Sequence, residues 1–225
     1  MEIIKKAIEE GKKTLSEFDS KKVLAEYGIP VTQEVTVTNI DDLKQAAKQI
    51  GYPIVLKGNS AEIAHKTEMG LIQIDIRNET EAITAFNDII GKMPGTEKEV
   101  LVQEMVKGQR ELVAGMTCDA QFGPCVMFGL GGIFTEVLKD VAFRVAPLTK
   151  RDATDLMNDI KATKILDAVR GMEAVDRDLL ADILIAVGKI GMDYPQVKEI
   201  DINPLKIKNG KPIAVDALIV LDNAE

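Results

Sequence analysis

The chain has 225 residues, 46% of them hydrophobic and 28% charged, with 36 acidic against 28 basic side chains and a net charge of −8. That length can bury a large core as one domain or as two smaller lobes, and both remain open on length alone. The acidic balance argues against a general nucleic-acid or membrane-surface role while leaving room for a local phosphate site.

No apolar run approaches a bilayer span, and Met1-Glu2-Ile3-Ile4-Lys5-Lys6 lacks the apolar core of a signal peptide, so a cytoplasmic protein is expected. In chain order, the opening segment alternates charged and apolar residues at helical spacing. A second helix follows over residues 21–27, with Ser20 as its expected N-cap and Gly28 as its C′ residue. Residues 33–38 read as extended. Asn39-Ile40-Asp41-Asp42 caps a helix through residue 50, and Gly51-Tyr52-Pro53 ends it. Ile54-Val55-Leu56-Lys57 is a short strand with Lys57 at its far end, and residues 58–68 are a polar loop. Residues 70–76 return to strand, residues 79–92 to helix, and Pro94-Gly95 breaks the pattern. Strands are expected at residues 100–106, 111–117, 124–129 and around 135–138, with short turns that favour antiparallel pairing.

Helical spacing resumes over residues 150–157, 161–169 and 178–190. Two closing strands, at residues 197–202 and 212–217, are joined through Asn209-Gly210, a strong hairpin signal. The two cysteines, Cys118 and Cys125, are read as buried or half-buried thiols without chemistry. Strands and grouped helices in this order give an α+β protein with antiparallel sheets.

Five places can carry chemistry. His65 is the only histidine. An imidazole can act as acid, base, ligand or nucleophile, but no second ring is present for a multi-histidine metal site and no Ser-His-Asp context lies nearby. Nucleophile or surface residue remain. Lys57, at the exit of an apolar strand, can aim an ammonium at phosphate, or simply face solvent. Glu104 and Glu111 stand seven residues apart across a turn, where they can line one side of a cleft or lie on the surface. Phe128-Gly129-Leu130-Gly131-Gly132-Ile133 joins strand to strand and lacks a Gly-Lys-Ser/Thr ending. It is therefore neither a dinucleotide fingerprint nor a Walker A loop, and it can let amides approach an anion or serve as a plain turn. Glu199, Asp201 and Asn203 alternate, so they share a strand face, and with Asp216 they supply oxygen ligands suited to Mg²⁺.

These blocks resemble the β subunit, with the ATP-grasp fold, of the NDP-forming acyl-CoA synthetases, of which ADP-forming acetate:CoA ligase is one form and succinyl-CoA synthetase a relative. The resemblance is carried by Ser20-Lys21-Lys22-Val23-Leu24 with Tyr27-Gly28-Ile29-Pro30, Pro53-Ile54-Val55-Leu56-Lys57, Ala64-His65-Lys66-Thr67-Glu68, Gln103-Glu104-Met105-Val106, Arg110-Glu111-Leu112, Gly129-Leu130-Gly131-Gly132 and Glu199-Ile200-Asp201-Ile202-Asn203-Pro204-Leu205. One departure stands out: Gly70-Leu71-Ile72 replaces the Gly-Gly-Val expected of the family, placing a larger side chain at Leu71.

The resemblance implies an α+β ATP-grasp fold whose two lobes enclose a nucleotide cleft. The expected division is an N-terminal helical segment over residues 1–20, one lobe over 21–98 and the other over 99–225. It implies ATP/ADP and Mg²⁺ as cofactors, with Lys57 on phosphates, the Glu104, Met105 and Val106 backbone on adenine, and Glu111 on ribose. Asn203 and Asp216 are the implied metal ligands. His65 is implied to shuttle a phosphoryl group between a phosphohistidine of a partner α subunit and ADP, steadied by Asp201.

A CoA-binding α subunit is therefore the expected partner, reached by acyl-CoA or carboxylate through that subunit, in a hetero-oligomer. Two other readings compete. A carboxylate–amine ligase would share Lys57, Glu111 and the metal pair but need no histidine, and a regulatory subunit would keep the fold for binding alone.

Overall fold

The computed structural model describes residues 1–60, 69–108, 110–132, 140–168 and 171–222. The loop with His65 and the strand expected around residues 135–138 lie outside the described residues. The chain opens with α1 (Glu2–Glu9) and α2 (Glu17–Glu26). The latter starts earlier than Ser20. That serine lies inside the helix, and its hydroxyl accepts from the Ile219 N–H at 3.2 Å instead of capping. Gly28 takes φ +80°, as a C′ residue must, and the Ile29 N–H reaches back to the Leu24 carbonyl at 3.1 Å.

Contacts divide the chain into two units. One comprises Ser16–Phe18 and Thr32–Val106, the other Met1–Leu15, Asp19–Val31 and Lys107–Glu225. The first contains β1 (Glu34–Val37), α3 (Ile40–Ile50), β2 (Ile54–Asn59), β3 (Ile72–Ile76), α4 (Glu79–Lys92) and β4 (Glu99–Glu104). Its sheet runs β1-β4-β2-β3. The expected division at residue 98 would cut β4 from the two strands it joins, Val37↔Val100 on one side and Leu56↔Val102 on the other. The stretch expected to open that lobe, from residue 21, packs elsewhere: Val23, Leu24 and Ile29 belong to the core of the other unit.

Asn39 and Asn78 cap α3 and α4, each accepting the N–H three residues on at 3.0 Å. One face of each helix then lies on the sheet. Leu43, Ala46, Ala47, Phe86 and Ile89 meet Ile54, Leu56, Val100 and Val102 in a dry core. Leu71 belongs to this core and is fully buried, and its carbonyl accepts from the Gly58 N–H at 2.9 Å. Its larger side chain is thus absorbed by packing.

The second unit contains β5 (Glu111–Asp119), β6 (Gly123–Leu130), β7 (Val141–Val145), α5 (Lys150–Asp159), a 3₁₀ turn (Thr163–Leu166), α6 (Arg177–Asp193), β8 (Val197–Lys208), β9 (Lys211–Ala214) and β10 (Ala217–Leu221). Its sheet runs β10-β8-β5-β6-β7, with β9 also on β8. Strand pairing is antiparallel throughout both sheets, as expected. α6 lays Leu180, Ile183, Leu184 and Val187 into a core with Met116, Val126 and Phe128.

Four expectations change here. The helix expected at residues 161–169 is reduced to the 3₁₀ turn among the described residues, because the buried Arg110 guanidinium takes the Ile165 and Asp167 carbonyls at 3.1 Å each, together with that of Glu173. β7 replaces a stretch with no expected element. The hairpin at Asn209 (φ +51°) and Gly210 (φ +73°) closes β8 on β9, while the 197–202 half of β8 pairs with β10 instead. Cys125 is half-buried as expected, but Cys118 is exposed, and both are free. Among the described residues no helix is long and apolar enough to cross a membrane.

Candidate functional site

In the four-stranded unit, β2 runs two residues past Lys57, to Asn59. Gly58 faces the helix side, where a Cβ would stand 3.3 Å from the Met93 sulfur, so Lys57 and Asn59 share the opposite face. Lys57 does not face solvent. Its Nζ donates to Glu17 Oε1 at 2.6 Å, and the two side chains are 5% and 1% exposed. Cross-strand partners place Leu101, Glu99 and Gln103 of β4 on this same face. Asn59 donates to Glu99 Oε2 at 2.8 Å, and its own amide oxygen is buried with no hydrogen-bond partner among the described residues. The sheet's second face therefore buries polar side chains among apolar ones, an uncommon arrangement that requires internal partners.

At the end of β4 the Glu104 carboxylate is engaged by the backbone: the Gln33 N–H donates to its Oε1 at 3.0 Å, and the Glu104 N–H returns to the Gln33 carbonyl at 2.9 Å. The side chain thus fixes where β4 leaves the sheet, a role the sequence reading missed. Met105 follows, its N–H 3.4 Å from the Pro53 carbonyl, and Val106 is buried.

In the six-stranded unit, Glu111 opens β5 opposite Lys206 of β8, and the two side chains pair at 3.0 Å while remaining partly exposed. The glycine run packs against this point. The Gly131 N–H donates to the Glu111 carbonyl at 2.8 Å, and at Gly132 (φ +62°) a Cβ would stand 2.6 Å from Glu111 Oε2. Of the two uses left open for these glycines, neither describes Gly131. Its amide is already taken, and the missing side chain admits β5.

Further along β8, Ile200 and Ile202 are buried while Glu199 and Asn203 are exposed and Asp201 is half-buried, so the expected shared face is present. Asp216 sits between β9 and β10, and its carbonyl accepts from the Asn203 N–H at 3.2 Å. Burial pushes the Asp201 carboxyl up to about 6, helped by the nearby charges of Glu199 and Asp216.

Asn203 and Asp216 are thus held on adjacent segments and offer hard oxygen donors. Among the described residues no group of three or more His, Cys, Asp or Glu side chains could hold a metal ion. The donor set fits Mg²⁺, which keeps water and substrate oxygens in its shell, and not an all-protein cage.

Lys57, Glu104, Met105 and Val106 belong to the four-stranded unit, and Glu111, Asp201, Asn203 and Asp216 to the six-stranded one. Two partners escaped the sequence reading, Glu17 and Lys206. Each is a charged residue in a stretch whose local pattern says helix or strand and nothing of its ion pair.

Comparison with known proteins adds to this geometry. Residues 6–221 match the ATP-grasp domain family. The chain is 43% identical to the β subunit of acetate–CoA ligase (ADP-forming) I from Pyrococcus furiosus, a match that covers 98% of this chain and 97% of that one. It is 41% identical to acetate–CoA ligase (ADP-forming) I of Archaeoglobus fulgidus, again over 98% of this chain but only 33% of the longer relative. Among solved structures, the dinucleotide-forming acetyl-coenzyme A synthetase 1 of Candidatus Korarchaeum cryptofilum, in complex with coenzyme A, Ca-AMPCP and HgCl⁺, superposes with a TM-score of 0.94. It has 39% identity and covers 98% of this chain and 99% of that one.

Proposed function

Since the chain belongs to the ATP-grasp family, among the β subunits and β portions of ADP-forming acyl-CoA synthetases, we propose that it is the nucleotide-binding β subunit of such an enzyme. The reaction is acyl-CoA, ADP and phosphate giving carboxylate, CoA and ATP, reversibly. Sugar, base and phosphates are each met by a different element. Lys57 takes phosphate oxygens, the backbone of Glu104, Met105 and Val106 meets the adenine edge, and Glu111 accepts from ribose hydroxyls. A Mg²⁺ ion held by Asn203 and Asp216 would offset phosphate charge at that point.

His65 carries the transfer. Its neutral imidazole nitrogen attacks the phosphorus of a phosphohistidine on the partner subunit; the old N–P bond breaks as the new one forms. The terminal oxygen of ADP then takes the phosphoryl group and frees the imidazole. Asp201 holds the ring's other N–H and stabilises the positive charge that develops on the ring during the transfer. The observation that carries this reading is the half-buried Asp201 on the strand face it shares with Asn203, next to the Asp216 segment. A carboxylate–amine ligase would share the metal pair but need no histidine.

The CoA-binding function belongs to a separate α subunit in this proposal. The Archaeoglobus relative, of which the matched part is one third, is consistent with a fused version of the same arrangement. The two free thiols suit a reducing compartment, in keeping with a cytoplasmic location.

The test is to mix the chain with its α partner, acyl-CoA and ³²P-labelled phosphate. Base-stable, acid-labile label is expected on this subunit in the wild type and absent in His65→Asn. Label retained at the same level in that variant would remove His65 from the relay.

A further inference from the structure

The Lys57 ammonium is not presented to a ligand by β2 alone. Glu17 comes from a segment forty residues earlier in the chain, and Ser16–Phe18 are counted with the four-stranded unit although the residues on either side are not. Its carboxylate meets Nζ at 2.6 Å, and both side chains are almost fully enclosed. A lysine has a flexible four-carbon stem and three donors, so strand position by itself leaves its head free to sample several directions. A buried carboxylate at 2.6 Å restricts that freedom. It also keeps the ammonium charged in a place where burial alone would favour the neutral amine.

We propose that Glu17 is a positioning residue for nucleotide binding: it holds the Lys57 ammonium charged and aimed along the buried polar face of the four-stranded sheet, so that a nucleotide phosphate meets a preset cation. This rests on the reading of Lys57 as a phosphate ligand. The alternative, in which Glu17 competes with phosphate for the ammonium, predicts the opposite sign for its removal. Preorganisation is favoured because the ion pair is enclosed at short range, and pulling a buried pair apart costs more than adding a third group beside it. A phosphate that adds to a standing pair avoids that loss.

Glu99 of β4 lies on the same face and is bonded to Asn59, and Asp75 of β3 is bonded to Arg77 at 2.6 Å. Directly opposite Lys57 stand Leu101 of β4 and Ile72 of β3, both apolar.

Binding of Mg·ADP to the full chain is measured by calorimetry between pH 6.5 and 9 for the wild type, Glu17→Gln, Glu17→Asp, Lys57→Met and the double variant Glu17→Gln/Lys57→Met, with thermal melting as the check on folding. The expected result is a loss of affinity of about tenfold or more in Glu17→Gln at neutral pH. Glu17→Asp, which keeps the carboxylate, largely restores wild-type binding. In the Lys57→Met background the Glu17→Gln change adds nothing further to the loss of nucleotide affinity, because Glu17 acts on the ligand only through Lys57. Wild-type or tighter binding by Glu17→Gln, with Lys57→Met weakened, overturns the positioning role. Undiminished binding by Lys57→Met overturns instead the assignment of Lys57 to phosphate, and the inference with it. The double variant has no unpaired buried charge, so its binding can be read even if Glu17→Gln alone is unstable.

Discussion

Asp216 is defined by its neighbours more than by its own strand. It lies between β9 and β10, where its carbonyl accepts from the Asn203 N–H at 3.2 Å, and its charge helps raise the proton affinity of Asp201. Removing the carboxylate leaves the backbone bond intact, so Asp216→Ala is expected to fold normally. It should lose the Mg²⁺ dependence of nucleotide binding, with affinity at saturating Mg²⁺ falling to its value in chelator. Calorimetric titration at several Mg²⁺ concentrations checks this, and an unchanged Mg²⁺ profile takes Asp216 out of the site. Glu104 makes the complementary point. Its position invited a role toward a ligand, yet its Oε1 is engaged by the Gln33 N–H at 3.0 Å, and its contribution is to place the Met105–Val106 backbone that follows.

Among the elements, helix starts are where local sequence acts most directly. Asn39 and Asn78 each accept an N–H at 3.0 Å from the third residue of their helices. Asn39→Ala is therefore expected to cost about 1 kcal/mol in urea unfolding. α5 begins with a reciprocal box in which Thr149 Oγ1 donates to Asp152 Oδ2 at 2.6 Å, the Thr149 N–H reaches that carboxylate at 2.8 Å, and the Asp152 N–H returns to Thr149 Oγ1 at 3.2 Å.

The bond from the Thr149 hydroxyl, followed by that from its amide, holds the Asp152 carboxyl below the usual carboxylate range. A depressed folded-state value means the native state binds fewer protons than the unfolded one over that range. The stabilisation is present above the ordinary carboxylate pKa and is lost as pH falls through the lower folded value. The melting-temperature difference between wild type and Asp152→Asn should thus be present at pH 7 and shrink on acidification toward pH 3. A constant difference would mean that the box acts without its charge.

At the scale of the whole molecule, two separate apolar clusters matter. One is built on α3, α4 and the four-stranded sheet, the other on α6 and the six-stranded sheet. Leu43 is fully buried in the smaller one, and Leu43→Ala is expected to destabilise it by about 3 kcal/mol. Native-state hydrogen exchange checks where the loss appears. Amides of β2 and β4 should lose protection far more than those of β5 and β6, whose core the substitution does not touch. Equal loss in both sheets would make the two cores one cooperative body.

Local sequence was enough to specify the helix with signals at both ends, residues 40–50, along with the antiparallel sheets and the family. These rest on local capping, side-chain period and ordered motifs, all short in range. It also gave the alternation of Glu199, Asp201 and Asn203, because a strand has a period of two wherever it sits. Only the tertiary structure decided that β4 belongs with β2, that the 197–202 stretch pairs with β10 and not with its hairpin neighbour, and that Lys57 meets Glu17. Strand pairing and buried ion pairs join residues 40 or more positions apart in the case of Lys57, and no local pattern encodes which distant partner will be there. The change of Lys57 from an expected strand-end cation to an enclosed, paired one is the clearest case: the charge was legible, but its environment is a property of the folded chain.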